Sequence, residues 1–272
     1  MHGQDQLSRR PKVEVDASHR YGDLVVHEHL QFAVAANEFV CICGPSGCGK
    51  TTLLDMLAGI LRPSQGAVLI DGKPADPKQQ SISFVFQEPS TFPWLNVRDN
   101  VATGLRIKGV RTAEIDAKVR EIVEIVGLTG FERYYPHQIS GGMKQRVAIA
   151  RAFVTDADLI LMDEPFVSLD QPTRERMQKE VLDIWRHRRR TVVFVTHNLE
   201  EAIFLGDRIL ILSAKPARIV AELPIALPRP RDPVSPDFMA LRSQCMHWLH
   251  APGGGQSTGG TIQEKAGLTQ SR

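Results

Sequence analysis

Residues 39–61 read FVCICGPSGCGKTTLLDMLAGIL. Phe39 to Cys43 is an apolar run of strand length, Gly44 to Thr51 is the glycine-rich string GPSGCGKT, and the remainder has helical character. Strand, glycine loop and helix in that order make a cradle for a phosphate chain. Glycines let the backbone bend and approach closely, so that several N–H groups converge on one anion, and the helix start adds its positive end. Gly44, Pro45, Ser46, Gly47, Cys48 and Gly49 are the expected wall of this cradle. Lys50 is expected to reach the β- and γ-phosphates, Thr51 to offer its hydroxyl to Mg²⁺, and Thr52 to meet the α-phosphate. Cys48, beside Lys50 and the helix start, is expected to have a lowered thiol pKa.

Outward from the cradle, strand-like runs at Ala67 to Ile70, Leu159 to Met162, Val192 to Thr196 and Ile209 to Leu212 alternate with helical patterns. That rhythm predicts an α/β sheet. Ala113 to Val126 has Ile115, Val119, Ile122, Val123 and Val126 on one helical face and meets a stop at Gly127. A second helix, from Thr173 to about His187, ends in RHRRR, expected to be a solvated turn favoured by the helix dipole. Residues from about 88 to 156 interrupt the strands and predict a helical lobe.

The run Leu159 to Met162 ends in Asp163 and Glu164. A strand delivering a carboxylate beside a phosphate loop suits Asp163 as a Mg²⁺ ligand. If the strand persists, Glu164 points to the opposite side, where it can polarise an attacking water.

The 272 residues allow one large domain or two unequal ones at about 100–200 residues each. A 42% hydrophobic, 24% charged composition excludes a wholly disordered or fibrous chain. The net charge of +2 is too small for a nucleic-acid binder that works by bulk charge, so no nucleic-acid partner is expected. No apolar run approaches the roughly 18 residues of a membrane span, and residues 1–12 lack the apolar segment of a secretory signal, which predicts a cytosolic address. Cys41, Cys43, Cys48 and Cys245 suit neither a disulfide framework nor a zinc knuckle, and Cys41 and Cys43 read as small apolar residues of a buried strand. Residues 1–11 and the Gly/Ser-rich 251–272 read as flexible ends around one domain at 12–250.

Between the cradle and the acidic pair stands ISGGMKQRVAIARA, residues 139–152, where Ser140, Gly141 and Gly142 open an amphipathic helix able to bind an anion. Here the sequence resembles the ATP-binding subunits of ABC transporters, whose LSGGQ-type motif is matched by ISGGM. The resemblance implies a phosphate-loop NTPase core of α/β class with an antiparallel β subdomain and a helical subdomain. It also implies ATP and Mg²⁺ as ligands, and a head-to-tail dimer in which Ser140, Gly141 and Gly142 close over the second subunit's γ-phosphate. Carried over by position, Gln87 in VFQEP contacts Mg²⁺ and water, and His197 in FVTHN lies near the γ-phosphate. Ser168, Leu169 and Asp170 match the loop that crosses the dimer, and Tyr21 matches an aromatic that stacks on adenine; a strand aromatic packed in the core is the alternative for Tyr21. Asn37 and Val167 depart from the usual glycine and small residue, and Pro172 is unusual in the first turn of a helix.

PSTFPWLNVRDNV, SGGMKQR, FVTHNLEEA and LPRPRDP look most like the nitrate, sulfonate and taurine importers. The implied function is ATP hydrolysis driving uptake of a small oxyanion-type solute through a separate integral-membrane permease, docked near Gln87 to Leu95. The subunit would sit on the cytoplasmic face of the inner membrane, with a solute-binding protein as an indirect partner. The alternatives are a soluble ABC-type ATPase not coupled to transport, and a small-molecule kinase, which has no need of the SGG motif or of a base beside a water.

Overall fold

The structure is a computed structural model that describes residues 11–250. The expected flexible ends, residues 1–11 and 251–272, lie outside the described residues apart from Pro11. In chain order the strands are β1 (Val13–Tyr21), β2 (Leu24–Val34), β3 (Phe39–Cys43), β4 (Gln65–Ile70), β5 (Lys73–Pro74), β6 (Ile82–Val85), β7 (Leu159–Asp163), β8 (Thr191–Thr196), β9 (Arg208–Leu212) and β10 (Ile219–Pro224). The helices are α1 (Lys50–Leu57), α2 (Val97–Ile107), α3 (Thr112–Ile125), α4 (Gly141–Val154), α5 (Gln171–His187), α6 (Leu199–Leu205) and α7 (Pro236–His250).

Two sheets form. One has the order β2-β1-β4-β5 and is antiparallel throughout. The other has the order β10-β9-β3-β8-β7-β6, parallel except where β10 returns against β9. Successive residues of a strand face opposite sides, and β3 uses both. Val40 and Ile42 join Leu53, Leu54 and Leu57 of α1 and the inner face of the antiparallel sheet in one core. Phe39, Cys41 and Cys43 join α4, α5 and α6 in the other. Both cysteines are fully buried, as small apolar residues of a central strand would be.

The register decides where chemistry can occur. Cys43 pairs with Thr196, Asp163 with Val195, and Val85 with Met162. Four parallel strands therefore end together, and the segments leaving them, which carry the glycine loop, Glu164, His197 and Gln87, emerge along one edge of the sheet. Ligands of open α/β sheets bind at such carboxyl edges.

The helix expected over Ala113 to Val126 spans Thr112–Ile125, and that expected from Thr173 starts at Gln171 with Pro172 in its first turn. Proline fits there because the first-turn N–H groups have no helical partner, and Asp170 caps the helix by accepting the Thr173 N–H at 3.3 Å. Asn37 takes φ 63°, the left-handed conformation asparagine tolerates. The RHRRR run differs from its expectation. Arg188 pairs with Glu121 at 2.6 Å and Asp156 at 3.5 Å, Arg190 pairs with Asp156 at 3.0 Å, and Arg189 lies over the Trp185 ring. These arginines tie α5 to α3 and to the end of α4 instead of trailing in water.

Candidate active site

The glycine loop joins β3 to α1 as expected. Gly49 is the N-cap of α1 at φ 106°, and a Cβ there would lie 2.5 Å from Val26 Cγ1 and 2.7 Å from His27 Nε2. Only glycine fits. No side chain caps α1, so its first-turn N–H groups stay free for an acceptor. The Lys50 ammonium donates to the carbonyls of Gly44 at 3.1 Å and Pro45 at 3.2 Å, and so arches over the loop. A cavity of about 400 Å³ opens here, lined by Ser46, Gly47, Gly49, Lys50, Thr51, Thr52, Gln87, Glu164 and Lys215.

The acidic pair borders it. Thr51 Oγ1 donates to Asp163 Oδ2 at 2.7 Å. Burial pushes the Asp163 carboxyl up, the Thr51 hydrogen bond opposes this, and neighbouring Glu164 adds to it. The expectation that β7 continues through Glu164 is corrected: the strand ends at Asp163, and Glu164 turns to φ 42° while its N–H donates to Val195 O at 2.9 Å. The turn breaks the strand alternation, so both carboxylates reach the loop, Asp163 through Thr51 and Glu164 through Lys50. Glu164 Oε1 lies 3.3 Å from Lys50 Nζ, and Oε2 lies 2.8 Å from His197 Nδ1. With Glu164 ionised, Nδ1 carries the proton, which leaves Nε2 free.

A hydroxyl, a carboxylate and the Gln87 amide oxygen are hard donors of the kind Mg²⁺ prefers. It usually takes one or two carboxylates and completes its shell with substrate phosphates and water. Among the described residues no group of three or more His, Cys, Asp or Glu gathers into a cage. The donor set therefore fits Mg²⁺ bound together with a phosphate chain.

Cys48 does not match its expectation. It is buried beneath the loop, and burial pushes the thiol up; Lys50 and its backbone N–H oppose this without overcoming it. Proximity to a positive helix end lowers a thiol pKa only where the thiolate can be solvated or paired.

The remaining sequence candidates lie apart from this cavity. Tyr21, at the end of β1, is 52% exposed and lies T-shaped against His19, so it is no core aromatic. Ser140 caps α4 by accepting the Met143 N–H at 3.2 Å. Ser140 and Gly141 are exposed, Gly142 half-buried, and none of the three lines the cavity. Asp170 is likewise outside it.

Two residues escaped sequence reasoning. His27 is fully buried under the loop with Nε2 3.0 Å from Gly49 O, and Lys215 comes from the turn between β9 and β10. Neither belongs to a motif, and only the fold brings them to residue 49.

A phosphate loop on the carboxyl edge of a parallel sheet, with a carboxylate paired to its threonine and a second beside its lysine, defines a phosphate-loop nucleotide hydrolase. The chain belongs to the ABC transporter family, whose sequence profile matches residues 27–167. It binds ATP and hydrolyses it. It is 45% identical over 222 residues to an uncharacterised ABC transporter ATP-binding protein of Methanocaldococcus jannaschii, covering 82% of this chain and 83% of that one. An aliphatic sulfonates import ATP-binding protein of Bacillus cereus is 44% identical over 229 residues, 84% of this chain and 90% of the other. Among solved structures, a dimeric ATP-binding cassette in a post-hydrolysis state bound to ADP and phosphate superposes with a TM-score of 0.69 at 30% identity, covering 79% of this chain and 99% of that one.

Proposed function

We propose that this chain is the ATP-hydrolysing subunit of an importer for a small oxyanion-type solute of the nitrate, sulfonate or taurine class. In this reading residues 12–250 are one ATPase domain, with a helical subdomain at about 88–156. Two copies pair head to tail, and the pair docks on an integral-membrane permease at the cytoplasmic face of the membrane, fed by a solute-binding protein. Among the described residues no helix is long and apolar enough to cross a membrane, so the solute path is assigned to another chain. The similarity to an aliphatic sulfonates importer subunit supports the solute class.

The observation that carries the ATPase assignment is the line Lys50, Glu164, His197 along the loop, at 3.3 Å and 2.8 Å. Glu164 accepts the proton of the attacking water, and His197 holds its far oxygen so that the near one faces the cavity. Lys50 and the free N–H groups of the loop and of α1 stabilise charge on the phosphate oxygens. Thr52 adds a hydroxyl on the wall of the same cavity. Thr51, Asp163 and Gln87 would hold Mg²⁺, which would supply neutralisation of phosphate charge. Tyr21, 52% exposed at the end of β1, is the proposed adenine platform. Ser140, Gly141, Gly142 and Asp170 are proposed to complete the partner's site.

Phosphate release with no added acceptor separates the ATPase from a kinase. Co-reconstitution with a candidate permease, in vesicles loaded with ATP, tests import. Uptake of sulfonate, taurine or nitrate that stops with Lys50→Ala is expected; ATPase activity with no permease partner would leave the importer reading without support.

A further inference from the structure

The Lys215 ammonium reaches the wall of the nucleotide cavity from a segment that no phosphate-loop motif covers. It shares that wall with Ser46, Gly47 and Lys50. Among the described residues it makes no ion pair within 4.0 Å, whereas Lys50 faces Glu164. Its positive charge opposes protonation of His27, which touches Gly49, and favours the thiolate of Cys48, so its field falls on the underside of the same loop.

The turn that carries it is fixed. Ala217 donates to Val26 O at 2.8 Å and accepts from Glu28 N at 3.0 Å, which stitches the turn to β2. Ser213 closes it from the other side: its N–H donates to Arg218 O at 2.9 Å, its hydroxyl to Pro216 O at 3.2 Å, and it accepts the Arg218 N–H at 3.0 Å. Arg218 in turn pairs with Glu28 of β2 at 2.7 Å. Because β2 also supplies the residues packed against Gly49, the turn and the loop share one support. A cation on a braced turn, facing a cradle built for a polyanion and uncompensated by any carboxylate, has one ligand in its surroundings that matches it.

We infer that Lys215 is a nucleotide-binding residue that contacts the phosphate chain from the cavity wall it shares with Ser46, Gly47 and Lys50. The inference rests on the nucleotide reading of the loop. A single partly exposed charge near a polyphosphate is worth roughly five- to tenfold in affinity at low salt, shrinking as ions screen it.

Equilibrium binding of ATP, ADP and inorganic tripolyphosphate to the full chain should be measured for the wild type, Lys215→Ala, Lys215→Arg and Lys50→Ala, with the melting temperature of each. Lys215→Ala is expected to weaken all three ligands by a similar factor of roughly five to ten at about 0.05 M salt, and by about twofold or less near 0.5 M. Lys215→Arg should stay within about twofold of the wild type because the charge is kept. Weakened ATP with unchanged tripolyphosphate would overturn the phosphate assignment, since Lys215 would then read the nucleoside. Wild-type affinity in Lys215→Ala beside a large loss in Lys50→Ala would overturn this inference and leave the nucleotide reading standing. A wild type that binds none of the three would overturn both.

Discussion

The chain builds one device twice, at Gly44–Thr52 and at Ser140–Gly142, where glycines lead into the N-terminus of a helix. The first is walled by Thr51, Glu164 and Gln87, with Asp163 behind the Thr51 hydroxyl, its lysine is buried, and its helix has no side-chain cap. The second is open: a Cβ on Gly141 would meet nothing within 4 Å, and the Ser140 hydroxyl already takes one first-turn N–H. A helix end attracts anions in either setting, but only the first is surrounded by further polar side chains of its own chain that can fix a ligand. The first gathers its partners within one chain; the second lies open, as the proposed pairing of two copies requires.

The sharpest way to break this contrast is at Glu164. Glu164→Gln keeps the shape and loses the proton affinity, so hydrolysis should fall about 10²- to 10⁴-fold while ATP still binds and dimers accumulate. Turnover near the wild-type rate, in folded protein, would remove Glu164 as the base and leave the first site without its chemistry.

Ser140→Arg tests the other side. The exposed position admits the larger side chain, and loss of the cap costs about 1 kcal/mol. Nucleotide affinity of the single protomer should stay within about threefold, because its own cradle is untouched, while hydrolysis should fall more than about tenfold as the closing surface is blocked. A protomer whose ATP affinity falls along with hydrolysis would show that the two helix ends act within one chain.

A smaller effect is expected at Trp94, which is 71% exposed and tilted against Phe92 with ring centroids 5.7 Å apart, Phe92 itself lying under the Arg151 guanidinium. An exposed aromatic anchor a few residues after Gln87 fits a permease contact, and packing of the helical lobe does not account for it. Trp94→Ala should weaken permease binding by about 2 kcal/mol, roughly 30-fold, with the melting temperature of the free subunit nearly unchanged. A lowered melting temperature with unaltered permease affinity would return Trp94 to the lobe's own packing.

The motif residues were legible because local order specifies them: strand, loop and helix at Phe39 to Leu57 need no distant information. Of the parallel strands, β3, β7, β8 and β9 were legible from apolar runs to within one residue at their ends, whereas β6, Ile82–Val85, was not, because ISFV is short and only half-buried. The hairpin β1–β2 was not read, although VEVDASHRY alternates buried Val13, Val15 and Ala17 with more exposed polar residues; the family resemblance implied only an antiparallel subdomain. Glu164 shows the limit of periodicity, because one residue at φ 42° undoes the strand rule that separates it from Asp163. Cys48 shows the limit of proximity, since its burial depends on Gly44, Leu53 and the facing sheet. Lys215 and His27 belong to no pattern, and their meaning lies wholly in long-range packing.

His27 separates the two helix ends in a last and subtler respect, since only the phosphate loop rests on a buried titratable ring. Burial lowers its pKa from 6.5 to about 4; the hydrogen bond to Gly49 O opposes this, and His19 and Lys215 assist it. In the native state His27 is thus neutral above about pH 4, while the unfolded chain takes up a proton below about 6.5. The unfolded state binds more protons between those values, so this residue's contribution to stability is full above about pH 6.5 and is lost as pH falls toward 4. Integrated over that window the loss is on the order of 3 kcal/mol. His27→Leu removes the titration, and Gly49 O keeps its helical bond from Leu53 N at 2.9 Å. Denaturant unfolding at a series of pH values should show the wild type losing stability relative to His27→Leu only between about pH 6.5 and 4. Parallel curves across that range would mean that the ring is solvated or paired in the native state, and that the loop does not rest on a neutral histidine.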